Sequence, residues 1–465
     1  RSGKNAGTGS LDSGSVFWIA TPFIVTISIE VDTTANMADV VDFVDKARSG
    51  VVSSSPPNAA MYVCSSQFGH LLSSSADIAE RILRFMNGRQ LNTCARVCSL
   101  WNSTAQRLKC RRAKFSHCFE MLKRKRKAAS SSSGEPSRDV SEEAADRFLR
   151  QLRGAWCEPR HALVFATSKA STFLSPGRSQ RTCTDDHLEV AKVVGSHLPS
   201  ACHLLLGHAS GVMGTPGDGT PTELERGQGL SGLLLPSVLP DGTRVRPFAV
   251  TQAHVRKQSR GDDWYATDEF KTLAGLPVGD ATRDVKCVLW FIGSDLDEGE
   301  NDVAAEMVDD FVASCGPHRF ALGGAVLDSL AAAQADRVVC AGLCFSGDGV
   351  RSASVVLPPE VRGAQAVEKE LQRLKVDSGF GSWGAEQTLG FAFACVARGA
   401  GHHGRPNVEA DAFARVFPGV PLIGLFGNGE IGNEHLPLRA DGCRSANESC
   451  MYGYTTVVVL LSLGK

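Results

Sequence analysis

The spacing of apolar residues changes along the chain and divides the sequence into two regions. Between Ser74 and Leu108 apolar residues recur every three to four positions, which is the period of amphipathic helices. From about Arg160 onward, short apolar runs alternate with helical patterns, as in a mixed α/β protein. Residues 1–70 have no clear period, and we interpret them as a disordered flank or a non-native leader.

The mixed region contains several apolar runs that are bounded by turn residues. The strands predicted from these runs are 161–166, 202–208, 288–294, 338–346, 350–357, 388–396, 421–426 and 454–463. Helices are predicted at 185–198, 302–315 and 408–417. The stretch 211–222, rich in Gly, Thr and Pro, is predicted to be a loop. Gly347-Asp348-Gly349 predicts a β-hairpin between its flanking strands, because Asp-Gly adopts the positive φ angles of a tight turn.

The region between Asp77 and Trp101 predicts two short helices. Asp77 and Glu80 have the spacing of a helix cap and its partner, and Asn87-Gly88 separates the two helices. Apolar residues that share a face are Ile78, Ile82 and Phe85 on the first helix, and Leu91, Ala95, Cys98 and Trp101 on the second. So small a unit cannot bury this apolar surface by itself. The excess marks either a protein-binding face or a surface that docks on the chain's own larger region.

A basic run follows these helices. Arg107 to Lys127 contains ten basic residues against one acid, and the Ser-rich stretch after it is typical of a flexible linker. Lys123 to Lys127 is either a nuclear import signal or a solvated linker. The formal net charge of the chain is −1, so no overall field favours nucleic acid or a membrane.

The segment FGNGEIG has the spacing of a dinucleotide-binding turn at Gly427, Gly429 and Gly432. Such a turn requires a following helix, whose first amides hold the pyrophosphate. The residues after Gly432 include a proline and lack a helical apolar period. We therefore predict a tight turn at a strand end, with Asn428 in a left-handed conformation and Glu430 facing a cleft or a basic residue.

The helical segment resembles the F-box. The matching pattern is Ile-x-x-x-Ile-Leu-x-Phe, then Leu, then Val97-Cys98-x-x-Trp101, although LLSSSADI replaces the usual Leu-Pro start. The resemblance implies a substrate receptor of an SCF-type ubiquitin ligase, bound through a Skp adaptor to a cullin scaffold and a RING subunit. The residues that match the motif and would bind the adaptor are Ile78, Ile82, Leu83, Phe85, Leu91, Val97, Cys98 and Trp101.

The later part of the chain resembles the FIST domains. Residues 390–399, 407–432 and 454–464 are similar to the C-terminal FIST domain, and 342–358 to the N-terminal one. The resemblance implies an α+β fold, in which a small all-helical F-box precedes two mixed α/β sheet domains. The implied boundaries are an F-box at 71–118, a linker at 119–155, FIST N at 156–358 and FIST C at 359–465.

FIST domains elsewhere resemble sensory modules that hold small ligands. The matching positions, which form a possible ligand or substrate surface, are Arg398, Asn407, Glu409, Gly427, Asn428, Gly429 and Glu430. Arg398 and Glu409 form either a structural ion pair or the two sides of a cleft. His402 and His403 lie in a Gly-rich loop, where adjacent histidines are more often solvated than bound to metal.

The leading functional hypothesis is a receptor that recruits protein substrates for ubiquitination and proteasomal degradation. The resemblance implies no catalytic residue, cofactor or metal, because the transfer chemistry belongs to other subunits. It also implies cytoplasmic and nuclear localisation, no membrane association and no specific nucleic acid. The alternatives are a ligand-binding sensory protein whose F-box-like helices dock internally, and a thiol or metal enzyme.

Overall fold

A computed structural model describes residues 74–122, 140–167, 183–217, 219–225, 227–258, 264–316, 319–332, 337–438 and 449–464. The expectations for residues 1–70 and for the basic run at Lys123 to Lys127 lie outside the described residues. The chain forms two compact units. The first comprises the described residues up to Phe85 with Thr93–Leu108, and the second Met86–Asn92 with the residues from Lys109 onward. No helix in the ranges above is long and apolar enough to cross a bilayer.

The chain alternates helices with short strands. The α-helices are α1 (Ala76–Leu83), α2 (Gly88–Cys94), α3 (Ser99–Arg111), α4 (Val140–Arg153), α5 (Cys183–Ser196), α6 (Gln252–Gln258), α7 (Asp268–Ala274), α8 (Glu298–Cys315), α9 (Gly363–Asp377), α10 (Ala400–His403) and α11 (Val408–Val416). The strands are β1 (Ser116–Met121), β2 (Pro159–Thr167), β3 (His203–Ala209), β4 (Gly211–Gly214), β5 (Thr222–Leu224), β6 (Gly229–Pro236), β7 (Arg244–Thr251), β8 (Val285–Gly293), β9 (Ala321–Leu327), β10 (Ser329–Ala332), β11 (Val338–Ser346), β12 (Val350–Leu357), β13 (Thr388–Cys395), β14 (Leu422–Gly427), β15 (Glu430–Gly432), β16 (Met451–Tyr452) and β17 (Thr456–Leu463).

The helical segment at the start of the described chain differs from its prediction in two ways. The second predicted helix is divided into α2 and α3, because the amide of Val97 bonds to the carbonyl of Cys94 and tightens the chain into a turn. The predicted cap at Asp77 is not formed. Helix α1 begins at Ala76, and its N-cap Ser75 makes no side-chain capping bond.

The second unit contains three mixed sheets, which confirms the α+β class. The strand orders are β1-β6-β2-β3-β10 in sheet A, β16-β15-β9-β8-β11-β7 in sheet B, and β12-β17-β13-β14-β4-β5 in sheet C. In the later half of the chain, the bounds of the observed strands lie close to those of the predicted strands. Strands β4 and β5 occupy part of the predicted loop at 211–222. Strand β1 and helix α4 lie partly or wholly within the predicted linker.

The three sheets are built from three similar modules. Each module begins with two parallel strands that are joined through a helix: β2–α5–β3 in sheet A, β8–α8–β9 in sheet B, and β13–α11–β14 in sheet C. A helical crossover is what a parallel pair of adjacent strands requires. The chain therefore repeats one βαβ arrangement three times.

A short strand from each module joins the sheet of another module. Strand β4 leaves the first module and pairs with β14 of the third, β15 leaves the third and pairs with β9 of the second, and β10 leaves the second and pairs with β3 of the first. The three exchanges form a closed cycle, which gives the second unit an approximate threefold arrangement.

The predicted hairpin at Gly347-Asp348-Gly349 is wrong, because the strand that follows this turn belongs to another sheet. Both edges of β11 are already paired, with β7 on one side and β8 on the other. The chain after β11 therefore crosses to sheet C, where β12 pairs with β17. Gly347 has a φ of 99°, whereas Asp348 and Gly349 lack the positive φ angles that a tight hairpin turn needs, so this turn serves a crossing between sheets.

Aromatic side chains occupy the place where the three sheets meet. Phe165 of β2, Phe291 of β8 and Phe393 of β13 come from corresponding strands of the three modules and are fully buried. Their ring centroids are 5.3, 5.5 and 6.5 Å apart, with edge-to-face geometry in all three pairs. This aromatic triad belongs to one apolar cluster that includes residues from all three sheets.

Candidate functional site

The residues expected to form a ligand surface lie beside the ends of β13 and β14. These strands are parallel, so the turns that follow them leave the same edge of sheet C. Arg398 lies in the turn after β13, and Glu430 follows β14. Asn407 and Glu409 stand at the start of α11, which connects the two strands. This edge is where ligands commonly bind in α/β sheets.

Arg398 and Glu409 form a buried ion pair. The Arg398 Nε and Nη2 atoms donate to Glu409 Oε1 at 2.9 and 2.7 Å. The remaining donations of Arg398 go to the carbonyls of Pro358 at 3.2 Å, Tyr454 at 3.3 Å and Val361 at 3.2 Å. A guanidinium has five N–H groups, and these five bonds engage them all. Arg398 therefore acts as a structural centre with no donor left for a ligand.

Glu409 also receives bonds from the histidine loop. His403 Nδ1 accepts a bond from the amide of Gly363 at 3.1 Å, so Nε2 carries the hydrogen and donates to Glu409 Oε1 at 3.0 Å. The bonds from His403 and the charge of Arg398 outweigh burial and lower the pKa of Glu409 to about 2. The solvated interpretation of the two histidines is wrong for His403, whose side chain is fully buried.

Three charged side chains hold one short segment, Tyr454 to Thr456, at the start of β17. Arg398 donates to the carbonyl of Tyr454, Glu430 Oε2 accepts from the amide and hydroxyl of Thr455 at 3.1 and 2.9 Å, and Glu409 accepts from the hydroxyl of Thr456. Tyr454 has a φ of 62°, a strained conformation for an aromatic residue, and its side chain is 67% exposed. The charged cluster thus keeps a strained backbone in place.

Asn407 has the second strained backbone of the site. Its φ of 64° is in the left-handed region, where Asn is tolerated better than most residues. Its side-chain oxygen accepts a bond from the amide of Glu223 at 2.7 Å, and its nitrogen donates to Asp411 at 3.2 Å. Asn407 therefore connects α11 to the strand β5.

The glycine turn has a structural role, as the sequence predicted. Strand β14 is followed by the turn and then by strand β15 instead of a helix, which excludes the dinucleotide arrangement. A Cβ atom on Gly427 would lie 2.9 Å from the Cβ of Ala325, and one on Gly432 would lie 2.6 Å from Val457. Asn428 does not adopt the expected left-handed conformation. Its side chain donates to Asp328 at 2.9 Å.

Glu430 is completely buried, and only one of its two carboxylate oxygens is bonded. Oε2 accepts the two bonds from Thr455, whereas Oε1 has no hydrogen-bond partner. Burial raises the pKa of Glu430 to about 7, although the bonds from Thr455, the thiol of Cys395 and the charge of Arg398 lower it in part. The side chain therefore changes charge near neutral pH inside the fold.

We expect Glu430→Gln to stabilise the protein at pH 8 and to have little effect at pH 5. The pKa of Glu430 is raised from 4.5 to about 7 on folding, so its contribution to stability is present below pH 4.5 and is lost as the pH rises through 7. Between pH 5 and pH 8 the loss is on the order of 2 kcal/mol. Urea unfolding of both proteins at the two pH values measures it. Equal pH dependence of the two proteins would contradict this assignment.

The residues expected to bind a Skp adaptor differ in exposure. Phe85 and Val97 are each 46% exposed, and Arg84 lies over the Phe85 ring at 4.7 Å. The half-buried members of the set are Ile78, Ile82 and Cys98, and the buried ones are Leu83, Leu91 and Trp101. The buried members serve as core residues, so any adaptor must contact this segment mainly through Phe85, Val97 and their half-buried neighbours.

Sequence reasoning missed several members of the charged cluster. Glu223 Oε1 accepts from the amide of Ala410 at 2.7 Å, and Glu225 Oε1 accepts from the amide of Ala400 at 2.6 Å. Both glutamates come from the region beside a predicted loop, far from α11 in sequence. The one signal present was the pair of acids in Thr222-Glu-Leu-Glu, directly before Arg226.

The chain is similar to known proteins over much of its length. Residues 331–433 match the FIST C domain. Over 412 residues the chain is 28% identical to F-box only protein 22 of Homo sapiens and of Pongo abelii, and the alignments span 85% of this chain and 94% of each relative. The crystal structure of the cyanuric acid hydrolase of A. caulinodans aligns with 76% of this chain and 99% of that chain, with a TM-score of 0.36 and 10% identity. So low a TM-score carries no argument.

Proposed function

Because the chain is similar to F-box only protein 22 over most of its length, we propose that it is the substrate-recognition subunit of an SCF-type ubiquitin ligase. In this role the F-box segment binds a Skp adaptor, and through it a cullin scaffold and a RING subunit. The FIST region recruits protein substrates for ubiquitination and proteasomal degradation. The observation that carries the proposal is the extent of the similarity, which spans 94% of each relative.

The surface of the first unit supports this assignment. Large apolar side chains that are half exposed favour a protein interface over a solvated surface. Phe85 and Val97 provide such side chains, and both belong to the F-box pattern. An aromatic and an aliphatic anchor are suited to an apolar groove on a partner, where a few residues contribute most of the affinity.

The charged cluster of the second unit supports a receptor without catalytic chemistry. Arg398, Glu409 and His403 are engaged with one another and with backbone groups. A receptor raises the local concentration of its substrate near the conjugating enzyme and needs no reactive group of its own. We further propose cytoplasmic and nuclear localisation, as the resemblance to F-box proteins implies, and the basic run at Lys123 to Lys127 supports nuclear import.

The double substitution Phe85→Asp with Val97→Asp tests the proposal. Two charges on the exposed apolar positions should weaken binding of a purified Skp adaptor by at least about 30-fold, because each must be desolvated in an apolar groove. Isothermal titration calorimetry measures the affinity. Asp at the buried Leu83 or Trp101 would be a poorer test, since it would also unfold the segment.

A matched control introduces two Asp residues at exposed apolar positions outside the F-box segment. Val376 and Leu438 are 68% and 70% exposed in the second unit, so Val376→Asp with Leu438→Asp should leave adaptor affinity unchanged. Circular dichroism of both variants checks that the helices are retained. Wild-type affinity in the Phe85 and Val97 variant, or no adaptor binding by the wild-type protein, would refute the proposed function.

A further inference from the structure

A short acidic segment covers one edge of sheet C. Residues Thr222–Glu225, which we call the acidic strap, include β5, the outermost strand of that sheet. Strand β5 pairs only with β4, through three residue pairs from Val212 opposite Leu224 to Gly214 opposite Thr222. So short an edge pairing is weak by itself, and it needs other contacts to persist.

Those contacts come mainly from the two carboxyl groups of the strap. Glu223 Oε1 accepts from the amide of Ala410 at 2.7 Å in the first turn of α11, and the Glu223 amide donates to Asn407 Oδ1 at 2.7 Å. Glu225 Oε1 accepts from the amide of Ala400 at 2.6 Å at the start of α10. The strap therefore stays closed through side chains that reach the beginnings of two helices.

The charges around Glu223 oppose its ionisation. Among the residues that the structure describes, the charged groups that face it are the carboxylates of Glu409 on α11 and of Glu225 on the strap itself, and its neighbour across the β4 ladder is the apolar Met213. Arg398 and His403 bond to Glu409 and so compensate that carboxylate. Burial and, to a smaller extent, Glu409 raise the pKa of Glu223 to about 7, while the amides of Ala410 and Glu409 lower it in part.

We propose that the acidic strap is a proton-operated latch, which closes the edge of β4 when Glu223 is protonated and opens it when Glu223 is ionised. In the neutral state the carbonyl oxygen of the carboxyl group accepts the Ala410 amide without bringing a second charge beside Glu409. In the ionised state the charge of Glu223 is buried beside Glu409 and Glu225, which costs free energy that exposure to water relieves, so the strap opens more often. The unpaired edge of β4 and the first amides of α11 are then exposed.

Hydrogen exchange of the β4 and β5 amides tests the latch. Opening is coupled to the shift of the Glu223 pKa from 4.5 to about 7, so the opening constant should rise about 30-fold between pH 5.5 and pH 8.5. Exchange is carried out on the intact protein, and mass spectrometry then follows peptides within residues 209–225. The rates are corrected for the pH dependence of exchange in unstructured peptides. Amides of β13 and β17, which are paired on both sides within the same sheet, provide the internal reference.

Glu223→Gln separates the latch from general loosening of the fold. The amide oxygen of Gln can still accept from Ala410 and cannot ionise, so this variant should remain protected at both pH values. Glu360→Gln, at an exposed position outside the strap, should behave as the wild type does. The proposal fails if wild-type protection is the same at both pH values, or if Glu223→Gln opens with pH as the wild type does. The wild-type comparison decides the question even if the variant folds poorly.

Discussion

Arg398→Met is expected to lower the free energy of unfolding by about 3–5 kcal/mol. The substitution removes the cation that faces Glu409, together with five hydrogen bonds, and leaves a carboxylate buried inside the protein. Breaking one side of a buried ion pair is much costlier than removing both. Urea unfolding at pH 7 measures the difference.

Two further variants establish the cause of this loss. Arg398→Met combined with Glu409→Gln should recover part of the stability, since the stranded charge is then absent. Arg405→Met breaks an ion pair with Asp411 in which half of the Arg405 side chain is exposed, so it should cost less than about 1 kcal/mol. If Arg398→Met and Arg405→Met have the same effect, Arg398 is not the structural centre described above.

Phe393→Ala is expected to cost about 3–5 kcal/mol, because it opens a cavity where the three sheets meet. Phe393 packs edge-to-face on both Phe165 and Phe291, so its loss removes contacts with two sheets besides its own. Thermal and urea unfolding both measure the effect. We expect a single cooperative transition to persist, at lower temperature and lower denaturant concentration.

A double-mutant cycle tests whether the triad acts as one group. Phe165→Ala combined with Phe393→Ala should cost less than the sum of the single substitutions, because the second substitution enlarges a cavity that already exists. Val376→Ala, at an exposed position, is the control and should change stability by less than about 0.5 kcal/mol. Additive effects of the two phenylalanines would mean that they belong to independent parts of the core.

The local elements of the later half were predictable because apolar periodicity records burial directly. Strands β13, β14 and β17 contain nearly continuous apolar runs, which is typical of strands covered on both faces. The exchange of strands between sheets was not predictable, since periodicity says nothing about the partner of a strand. Asp-Gly at residues 348–349 has the same local preference in a hairpin and in a crossing.

The threefold arrangement left little trace in the sequence. Corresponding strands β2, β8 and β13 begin at Pro159, Val285 and Thr388, so the repeat is more than 100 residues long and uneven. The phenylalanines of the triad are the clearest shared feature. Similarly, the charged cluster depends on pairs such as Glu223 and Ala410, which are 187 positions apart. Only the fold brings such residues together, so the resemblance to FIST domains pointed to Arg398 and Glu409 but not to Glu223 or Glu225.

The position of β17 has a consequence for how the nascent chain can fold. Strand β17 lies between β12 and β13 and pairs with both, yet the ribosome makes it after either of them. During synthesis sheet C therefore has a gap between β12 and β13, and the apolar residues on either side of it stay accessible to chaperones until this segment emerges. A premature stop before residue 456 would leave that gap permanently and should mark the product for degradation.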